Sequence, residues 1–305
     1  QLVREDGGRV AGAIVRTDDG YARIDASKGV ILATGGYDAN PEMMEAWVRP
    51  EDYASSSWWN PGWGTTGDGH MMGLAVGAQM DSLPQPVMNF RWGNPDSFFD
   101  ARVWTPIWLA INVNAQGKRY VNEDLPFQAV SNAQNAQPAY GANCWQVFDD
   151  GMLGASDEEV AGAREALAEF EERGWAFSAA SPRELAEKCG IDADGLEQTV
   201  AAWNGYCESK KDLEFNRFME SVAPFAGATY YALTTNSCVL ATVGGLTING
   251  RVLDVDDRPI EGLYAVGNAS GNFFAGNYPR HIPGTSIGRA VTFGYVAAEH
   301  AVKGA

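Results

Sequence analysis

The chain has 305 residues, and 22 basic against 39 acidic side chains give it a formal net charge of −17. Such a charge repels polyanions, so nucleic acid and anionic membrane surfaces are disfavoured as partners, although a local basic pocket remains compatible with it. With 45% hydrophobic residues, the length suffices for one large or two moderate globular domains.

The four cysteines, Cys144, Cys189, Cys207 and Cys238, lie far apart and include no C-x-x-C pair. This spacing indicates buried free thiols and argues against a zinc site or a disulfide framework, so no metal site is expected. No apolar run is long enough to span a bilayer, so we expect a soluble protein without membrane insertion. No signal peptide opens the chain, but the compartment stays unknown because the first residues are typical of the middle of a fold.

Residues 1–36 predict a hairpin followed by a buried strand. Gly8–Arg16 and Gly20–Asp25 form the hairpin, and the apolar run Gly29–Thr34 leads into Gly35-Gly36. A dinucleotide-binding fold opens with a strand, a G-x-G-x-x-G turn and a helix that receives the pyrophosphate, and this sequence contains no such opening. We therefore interpret the segment as the tail of a nucleotide-binding fold whose first part is missing, and expect residues 1–305 alone to bind a dinucleotide cofactor poorly.

From Ala39 to about Ala228 the sequence changes to tryptophan-rich loops with helical segments, which indicates an inserted domain. Apolar residues at helical spacing predict helices over Ser156–Arg173, Ser181–Cys189 and Ala193–Ser209. The second of these opens with Ser181-Pro-Arg-Glu, as expected of an N-cap and first turn. The apolar faces are most simply explained by core packing.

The last third, from Leu246, predicts two strands joined by the Asp-Asp-Arg-Pro turn at 256–259, and then a third strand from Gly262 to Gly267-Asn268. A glycine-rich loop at Gly284 leads into a helix from about Thr285. The first amides of that helix are unpaired and its dipole favours partial negative charge in front of it, so a flavin carbonyl would suit this position. A plain strand-loop-helix connection is the alternative.

Eight short motifs occur in an order that resembles one flavoprotein family. They are Ala33–Tyr37, Thr66–Gly69 with Gly77-Ala78, Val113–Glu123, Trp145–Asp149, Leu196–Tyr206, Tyr230–Leu233, Thr242–Leu246 and Gly262–Asn268. The chain is similar to the fumarate reductase and succinate dehydrogenase flavoprotein subunits and to the 3-ketosteroid Δ1-dehydrogenases. The resemblance implies a mixed α/β and α+β architecture, in which a partial FAD-binding domain of the glutathione-reductase-like Rossmann type is interrupted by an α+β capping domain. The FAD-binding parts would be 1–40 and 229–305, and the capping domain 41–228.

The resemblance also implies the positions that hold FAD. Thr66, Asp68 and Gly69 would form a polar turn against the cofactor, although an Asp that stabilises its own turn is the alternative. Asn268 would bind the ribityl chain by accepting a hydroxyl hydrogen bond, and the Ser286 and Ile287 amides would face the flavin C2 carbonyl. The residues expected to bind FAD are Ala33, Thr34, Gly35, Gly36, Thr66, Asp68, Gly69, Gly245, Gly267, Asn268, Ser286 and Ile287.

Departures from the family pattern bear on the substrate. Fumarate reductases hold a dicarboxylate with His and Arg and deliver a proton from Arg, whereas the corresponding positions here are Asn89, Ala241 and Phe127. Phe127 also stands where ketosteroid dehydrogenases have a catalytic Tyr. We expect Phe127, Asn89 and Gly284 to contact the substrate, which would be mainly apolar rather than a dicarboxylate.

The loop before Gly284 carries the candidate catalytic residues Tyr278, Arg280 and His281. By resemblance they would polarise the substrate carbonyl, anchor the substrate and deliver a proton. A surface loop with an incidental basic pair is the alternative.

These motifs predict an FAD-dependent oxidoreductase that acts on CH–CH bonds, reducing or forming a C=C bond conjugated to a carbonyl in an enone-like or steroid-like small molecule. Reduction is favoured because the catalytic Tyr of the oxidising branch is missing. An electron-donor domain or protein is a possible partner. The alternatives are a fumarate reductase-like enzyme for another α,β-unsaturated acid, and a silent fragment or binding module without the pyrophosphate site.

Overall fold

The structure is a computed structural model that describes residues 1–6, 8–57, 64–91, 100–235, 237–279, 282 and 284–303. The strands are β1 (Leu2–Arg4), β2 (Val10–Thr17), β3 (Gly20–Asp25), β4 (Val30–Leu32), β5 (Ser56–Ser57), β6 (Val87–Arg91), β7 (Ile111–Val113), β8 (Trp145–Asp149), β9 (Ala176–Ala179), β10 (Tyr230–Thr234), β11 (Ser237–Thr242) and β12 (Leu263–Ala265). The α-helices are α1 (Pro41–Trp47), α2 (Pro50–Ser55), α3 (Asp68–Ala75), α4 (Trp104–Leu109), α5 (Phe127–Asn135), α6 (Pro138–Gly141), α7 (Asp157–Glu172), α8 (Pro182–Cys189), α9 (Ala193–Ser209) and α10 (Thr285–Lys303). The predicted mixed α and β class is confirmed.

Backbone contacts divide the chain into two compact units. The first unit contains Gln1–Tyr53, Asn60–Asn89 and Val239–Ala305, and the second contains Ala54–Trp59 and Phe90–Cys238. Residues 41–53 and 64–89 thus belong to the same unit as the flanking segments. The limits 1–40, 41–228 and 229–305 for the FAD-binding parts and the capping domain stay a prediction.

The first unit holds the predicted hairpin and two parallel strands. β1, β2 and β3 form an antiparallel sheet, and β4 pairs in parallel with β12. Leu2, Val10, Leu32, Leu246 and Leu263 are buried together in its core. This burial explains why the short apolar runs form strands at these positions.

The prediction of two regular strands joined by the Asp-Asp-Arg-Pro turn at 256–259 was wrong. The segment forms only isolated bridges, Ile248 with Val252 and Leu253 with Pro259. Gly250, at φ 104°, turns the chain between the first pair. Two residues on either side of such a turn are too few for a continuous ladder.

The second unit is built on an antiparallel sheet with the order β7-β8-β10-β9. The three predicted helices are present as α7, α8 and α9. The side chains of Ser156 and Ser181 accept the amides of Glu159 and Glu184 and so cap α7 and α8. Their apolar faces line one core, as predicted; it includes Phe148, Leu167, Leu185, Leu196 and Trp203.

A buried ion network ties distant segments of the second unit together. Arg119, whose side chain has 0% exposure, pairs with Glu123 at 2.7 Å and with Asp212 at 3.0 Å. Its guanidinium carbon lies 4.8 Å from the ring centroid of Trp203. Arg217 also contacts Glu123, at 3.4 Å. The network fixes the loop around Asp212 against the hairpin that carries Arg119.

Three of the four cysteines, Cys144, Cys189 and Cys207, are buried free thiols, as predicted. The side chain of Cys238 lies outside the described residues. Within the described part of the chain, no helix combines the length and the apolar character needed to cross a membrane.

Candidate cofactor site

The candidate site begins where two parallel strands of the first unit end side by side. In the β4–β12 pair Leu32 lies opposite Ala265, and the Val266 amide donates to the Leu32 carbonyl at 3.0 Å. The predicted cofactor segments Ala33–Gly36 and Gly267-Asn268 follow these strand ends. Ligands of open α/β sheets bind outside the carboxyl ends of the strands. Two predicted segments therefore meet at the edge where such a ligand is expected.

A third predicted segment, Thr66–Gly69, packs against the first. The Gly67 amide donates to the Gly36 carbonyl at 3.2 Å. A Cβ on Gly69 would lie 1.9 Å from Thr34 Oγ1, so only glycine allows this approach. The Thr66 hydroxyl donates to Asp68 Oδ2 at 3.2 Å, in line with an Asp that stabilises its own turn. Both side chains are exposed at the surface and stay accessible to a ligand.

Gly245 lies against the segment that follows β12. A Cβ there would lie 2.6 Å from the Ala269 carbonyl oxygen, so the close approach again requires glycine. The carboxylate of Asp81 supports this region by accepting the amides of Asn272, at 2.8 Å, and Gly245, at 3.4 Å. Burial raises the pKa of Asp81 above its ordinary value, although these amides and the charge of Arg289 oppose the shift.

Helix α10 begins at Thr285, as predicted, and its first turns contact Asn268. Ser286 Oγ donates to Asn268 Oδ1 at 3.2 Å, and Arg289 Nη2 donates to the same oxygen at 2.9 Å. The side chain of Ile287 is 73% exposed. The predicted residues Asn268, Ser286 and Ile287 thus belong to one local cluster, together with Arg289, which the sequence analysis missed.

Tyr278 folds back onto the start of α10. It is 8% exposed, and its ring centroid lies 5.2 Å from that of Phe274. The Ser286 amide, expected to face a flavin carbonyl, donates instead to the Tyr278 hydroxyl oxygen at 3.3 Å. Because this oxygen accepts a bond, the Tyr278 O–H proton is directed elsewhere and can be donated.

The two other candidate catalytic residues, Arg280 and His281, lie outside the described residues. Gly284, predicted to contact the substrate, is exposed at φ 80°, a left-handed conformation that favours glycine.

Phe127, also expected to contact the substrate, belongs to the second unit. It is the first residue of α5, and its ring centroid lies 6.0 Å from that of Trp108. Trp104 lies beyond, 5.5 Å from Trp108, so the three rings form an aromatic row. The Phe127 side chain has no acidic or basic group, so it cannot supply a proton.

Asn89, also expected to contact the substrate, lies on β6 in the first unit and is buried.

His70, on α3 directly after Gly69, is a second residue that the sequence analysis missed. It is fully buried, and neither ring nitrogen has a hydrogen-bond partner among the described residues. Burial lowers the pKa of His70 to about 4, and the backbone of Asn268 and Gly244 opposes this shift. Its ring lies edge-on to Tyr37, 5.3 Å between centroids. The ring is therefore neutral above about pH 5. In the sequence, the one indication of this residue was a histidine directly after the predicted cofactor residue Gly69.

Comparison with known proteins identifies the family. Residues 1–284 match the family model described as the FAD binding domain. The chain belongs to this FAD-binding family, and FAD is its cofactor. It is 31% identical over 312 residues to a probable fumarate reductase, Ifc3, of Shewanella frigidimarina, covering 99% of this chain and 49% of that protein.

Other relatives belong to the steroid branch. The chain is 31% identical over 335 residues to the 3-oxosteroid 1-dehydrogenase of Mycolicibacterium smegmatis, covering 97% of this chain and 57% of that protein. The crystal structure of the 3-ketosteroid delta1-dehydrogenase of Sterolibacterium denitrificans superposes with a TM-score of 0.81 at 27% identity, covering 100% of this chain and 58% of that one. The chain spans about half the length of the curated relatives it matches.

The residues present fit FAD. The backbone at Gly284, directly before α10, is open, because a Cβ added there would meet no described atom within 4 Å. A helix N-terminus suits a partly negative carbonyl oxygen, although the Ser286 amide donates to Tyr278 in this structure. The half-buried side chain of Asn268 adds a polar group that a bound cofactor can contact.

Proposed function

We propose that the protein to which this chain belongs is an FAD-dependent oxidoreductase that adds or removes two hydrogens across a C=C bond conjugated to a carbonyl. The observation that carries the proposal is the convergence of Ala33–Gly36, Thr66–Gly69 and Gly267-Asn268 beside the start of α10. Relatives named as a fumarate reductase and as 3-oxosteroid 1-dehydrogenases support the reaction class. Bound FAD supplies the hydride chemistry at the carbon–carbon bond.

Within this proposal, Tyr278 polarises the substrate carbonyl. Its oxygen accepts the Ser286 amide, and its remaining O–H proton is donated to the carbonyl oxygen. A fixed donor of this kind stabilises negative charge as it develops on that oxygen. Arg280 and His281 retain their proposed roles in substrate anchoring and proton delivery, and an electron-donor domain or protein completes the turnover.

The substrate proposed is an apolar enone rather than a dicarboxylate. Asn89, Ala241 and Phe127 supply no charge to pair with two carboxylates, and desolvating unpaired carboxylates costs several kcal/mol. Phe127 is itself apolar and packs with the rings of Trp108 and Trp104, so this position favours an apolar substrate. Reduction of the double bond is the favoured direction, because Phe127 replaces the base that oxidation would need.

The test is stopped-flow reoxidation of the dithionite-reduced, full-length, FAD-loaded protein. The substrates are a cyclic enone, a 3-ketosteroid with a conjugated double bond, and fumarate. We expect an enone to react fastest and fumarate negligibly. Tyr278→Phe should lower the enone rate by roughly 10²–10³, the usual loss for one stabilising donor, with unchanged flavin content. Lys118→Ala, which changes an exposed residue of the second unit, is the control. Fumarate reduction as fast as the best enone would overturn the proposal.

A further inference from the structure

Arg289 is a buried cation with an incomplete set of partners. Its residue exposure is 3%. Nη2 donates to Asn268 Oδ1 at 2.9 Å, while Nη1 reaches the carbonyls of Ser270 and Val243 only at 3.4 and 3.5 Å. Nε has no hydrogen-bond partner among the described residues. The guanidinium carbon also lies 4.8 Å from the ring centroid of Phe274.

None of the carboxylates that the structure describes neutralises the charge of Arg289 by direct contact. Among the described residues, no carboxylate oxygen forms an ion pair with it within 4.0 Å, and Asp81 acts on it only at longer range. Burial lowers the pKa of Arg289 to about 10, so the guanidinium stays charged at neutral pH. A buried cation without a paired anion is costly, because each desolvated ion loses several kcal/mol of hydration. The site therefore favours a ligand that brings negative charge.

Arg289 also decides how Asn268 is oriented. A guanidinium can only donate hydrogen bonds, so the amide oxygen of Asn268 must face it. The Ser286 hydroxyl donates to the same oxygen, which fills both of its acceptor positions. The Nδ2 amide of Asn268 is thus the group that the side chain can offer to a ligand. This polarity is opposite to the acceptor role expected from the sequence.

We propose that Arg289 is a positioning residue, which holds Asn268 as a hydrogen-bond donor to FAD and provides a buried positive charge that favours the reduced cofactor. The inference rests on the proposed function above. A donor and a cation both gain interaction energy when the cofactor takes up negative charge on reduction. Reduced FAD is therefore bound more tightly, relative to oxidised FAD, than it would be without Arg289.

The first experiment compares FAD binding in both redox states of the full-length protein. The dissociation constant of oxidised FAD is measured by fluorescence, and the midpoint potential by reduction with a reference dye. Arg289→Met should lower the preference for reduced over oxidised FAD at least tenfold, or about 30 mV for a two-electron couple. Arg289→Lys, which keeps the charge, should recover most of the potential. Lys303→Met removes an exposed cation from the same helix and should change neither quantity.

The second experiment tests the polarity of Asn268. Asn268→Asp removes the donor and adds a negative charge, so we expect oxidised FAD to bind at least tenfold more weakly and the preference for reduced FAD to fall. If Asn268 were instead an acceptor, the carboxylate would bind FAD as well as the amide does or better.

Two results would overturn the inference. One is a preference of Arg289→Met for reduced over oxidised FAD that lies within twofold of the wild-type preference. The other is an Asn268→Asp variant that binds oxidised FAD as tightly as the wild type does. If Arg289→Met does not fold, Arg289→Gln is measured in its place. The FAD affinity of Asn268→Asp tests the inference independently of both variants. Neither measurement needs a substrate. The choice between enone and fumarate can therefore fail while this inference stands, and the reverse also holds.

Discussion

Removal of the Asp212 carboxylate should strongly destabilise the second unit. Its two oxygens accept Arg119 at 3.0 and 3.1 Å, and both side chains are fully buried. The carboxylate also accepts the backbone amides of Glu214 and Arg217, each at 3.0 Å. Asp212→Ala therefore leaves a buried guanidinium with one fewer anion and leaves backbone amides without their acceptor.

The expected loss is about 3–5 kcal/mol, the usual cost of removing one member of a buried ion pair. Because the loop around Asp212 can partly rehydrate its freed amides, their loss adds little to this value. Asp212→Asn keeps an acceptor for the amides and should cost less than Asp212→Ala. Urea denaturation followed by tryptophan fluorescence measures both. Arg183→Ala, which breaks an exposed ion pair to Glu197, is the matched control and should cost far less.

The pH dependence has a defined direction. Burial raises the pKa of Asp212, but hydrogen bonds from Arg119 and the backbone outweigh it, so the pKa lies below its ordinary value. The carboxylate therefore contributes stability above the unfolded pKa of about 3.9, and this contribution disappears as the pH falls through the lower folded value. A loss under about 1 kcal/mol for Asp212→Ala at pH 7 would refute the argument that the network is a single buried unit.

Two further predictions concern the first unit. Because the pKa of His70 is lowered to about 4, acidification from about pH 6.5 to pH 4 should lower the free energy of unfolding by about 3 kcal/mol. His70→Leu should abolish this pH-dependent loss. A variant that loses as much stability over this pH range as the wild type would refute the assignment. Gly69→Ala should weaken FAD binding at least tenfold, because its Cβ would lie 1.9 Å from Thr34 Oγ1. A second change, Thr34→Ala, should restore part of the affinity, and Gly205→Ala, whose Cβ would meet no described atom within 4 Å, should have no effect.

The sequence predicts local structure in this chain because the decisive contacts are local. Ser156 and Ser181 cap their helices through bonds that span three residues, and α10 begins where the glycine-rich loop ends. The first strand predicted before the Asp-Asp-Arg-Pro turn is not formed for a local reason as well, since Gly250 turns the chain. Cofactor segments were predictable because each follows a strand end or a glycine turn.

Contacts between distant side chains were not predictable from the same patterns. Asp212 meets Arg119 across 93 residues of chain, and Arg289 meets Asn268 across 21. The spacing of a single sequence contains no signal for such pairs. An arginine in the apolar run after Thr285 was the one available indication that α10 carries a buried charge.

Two of the buried arginines, Arg119 and Arg289, differ in how their charge is balanced, and the difference bears on function. Arg119 contacts Glu123 and Asp212 within 3.0 Å, so its charge is balanced inside the protein. Arg289 has an amide oxygen and two distant carbonyls in place of those carboxylates. A chain with a net charge of −17 has many carboxylates available, yet none of the described ones pairs directly with Arg289. Since a buried unbalanced charge costs stability, we infer that its benefit arises when the negative charge comes from what the site binds.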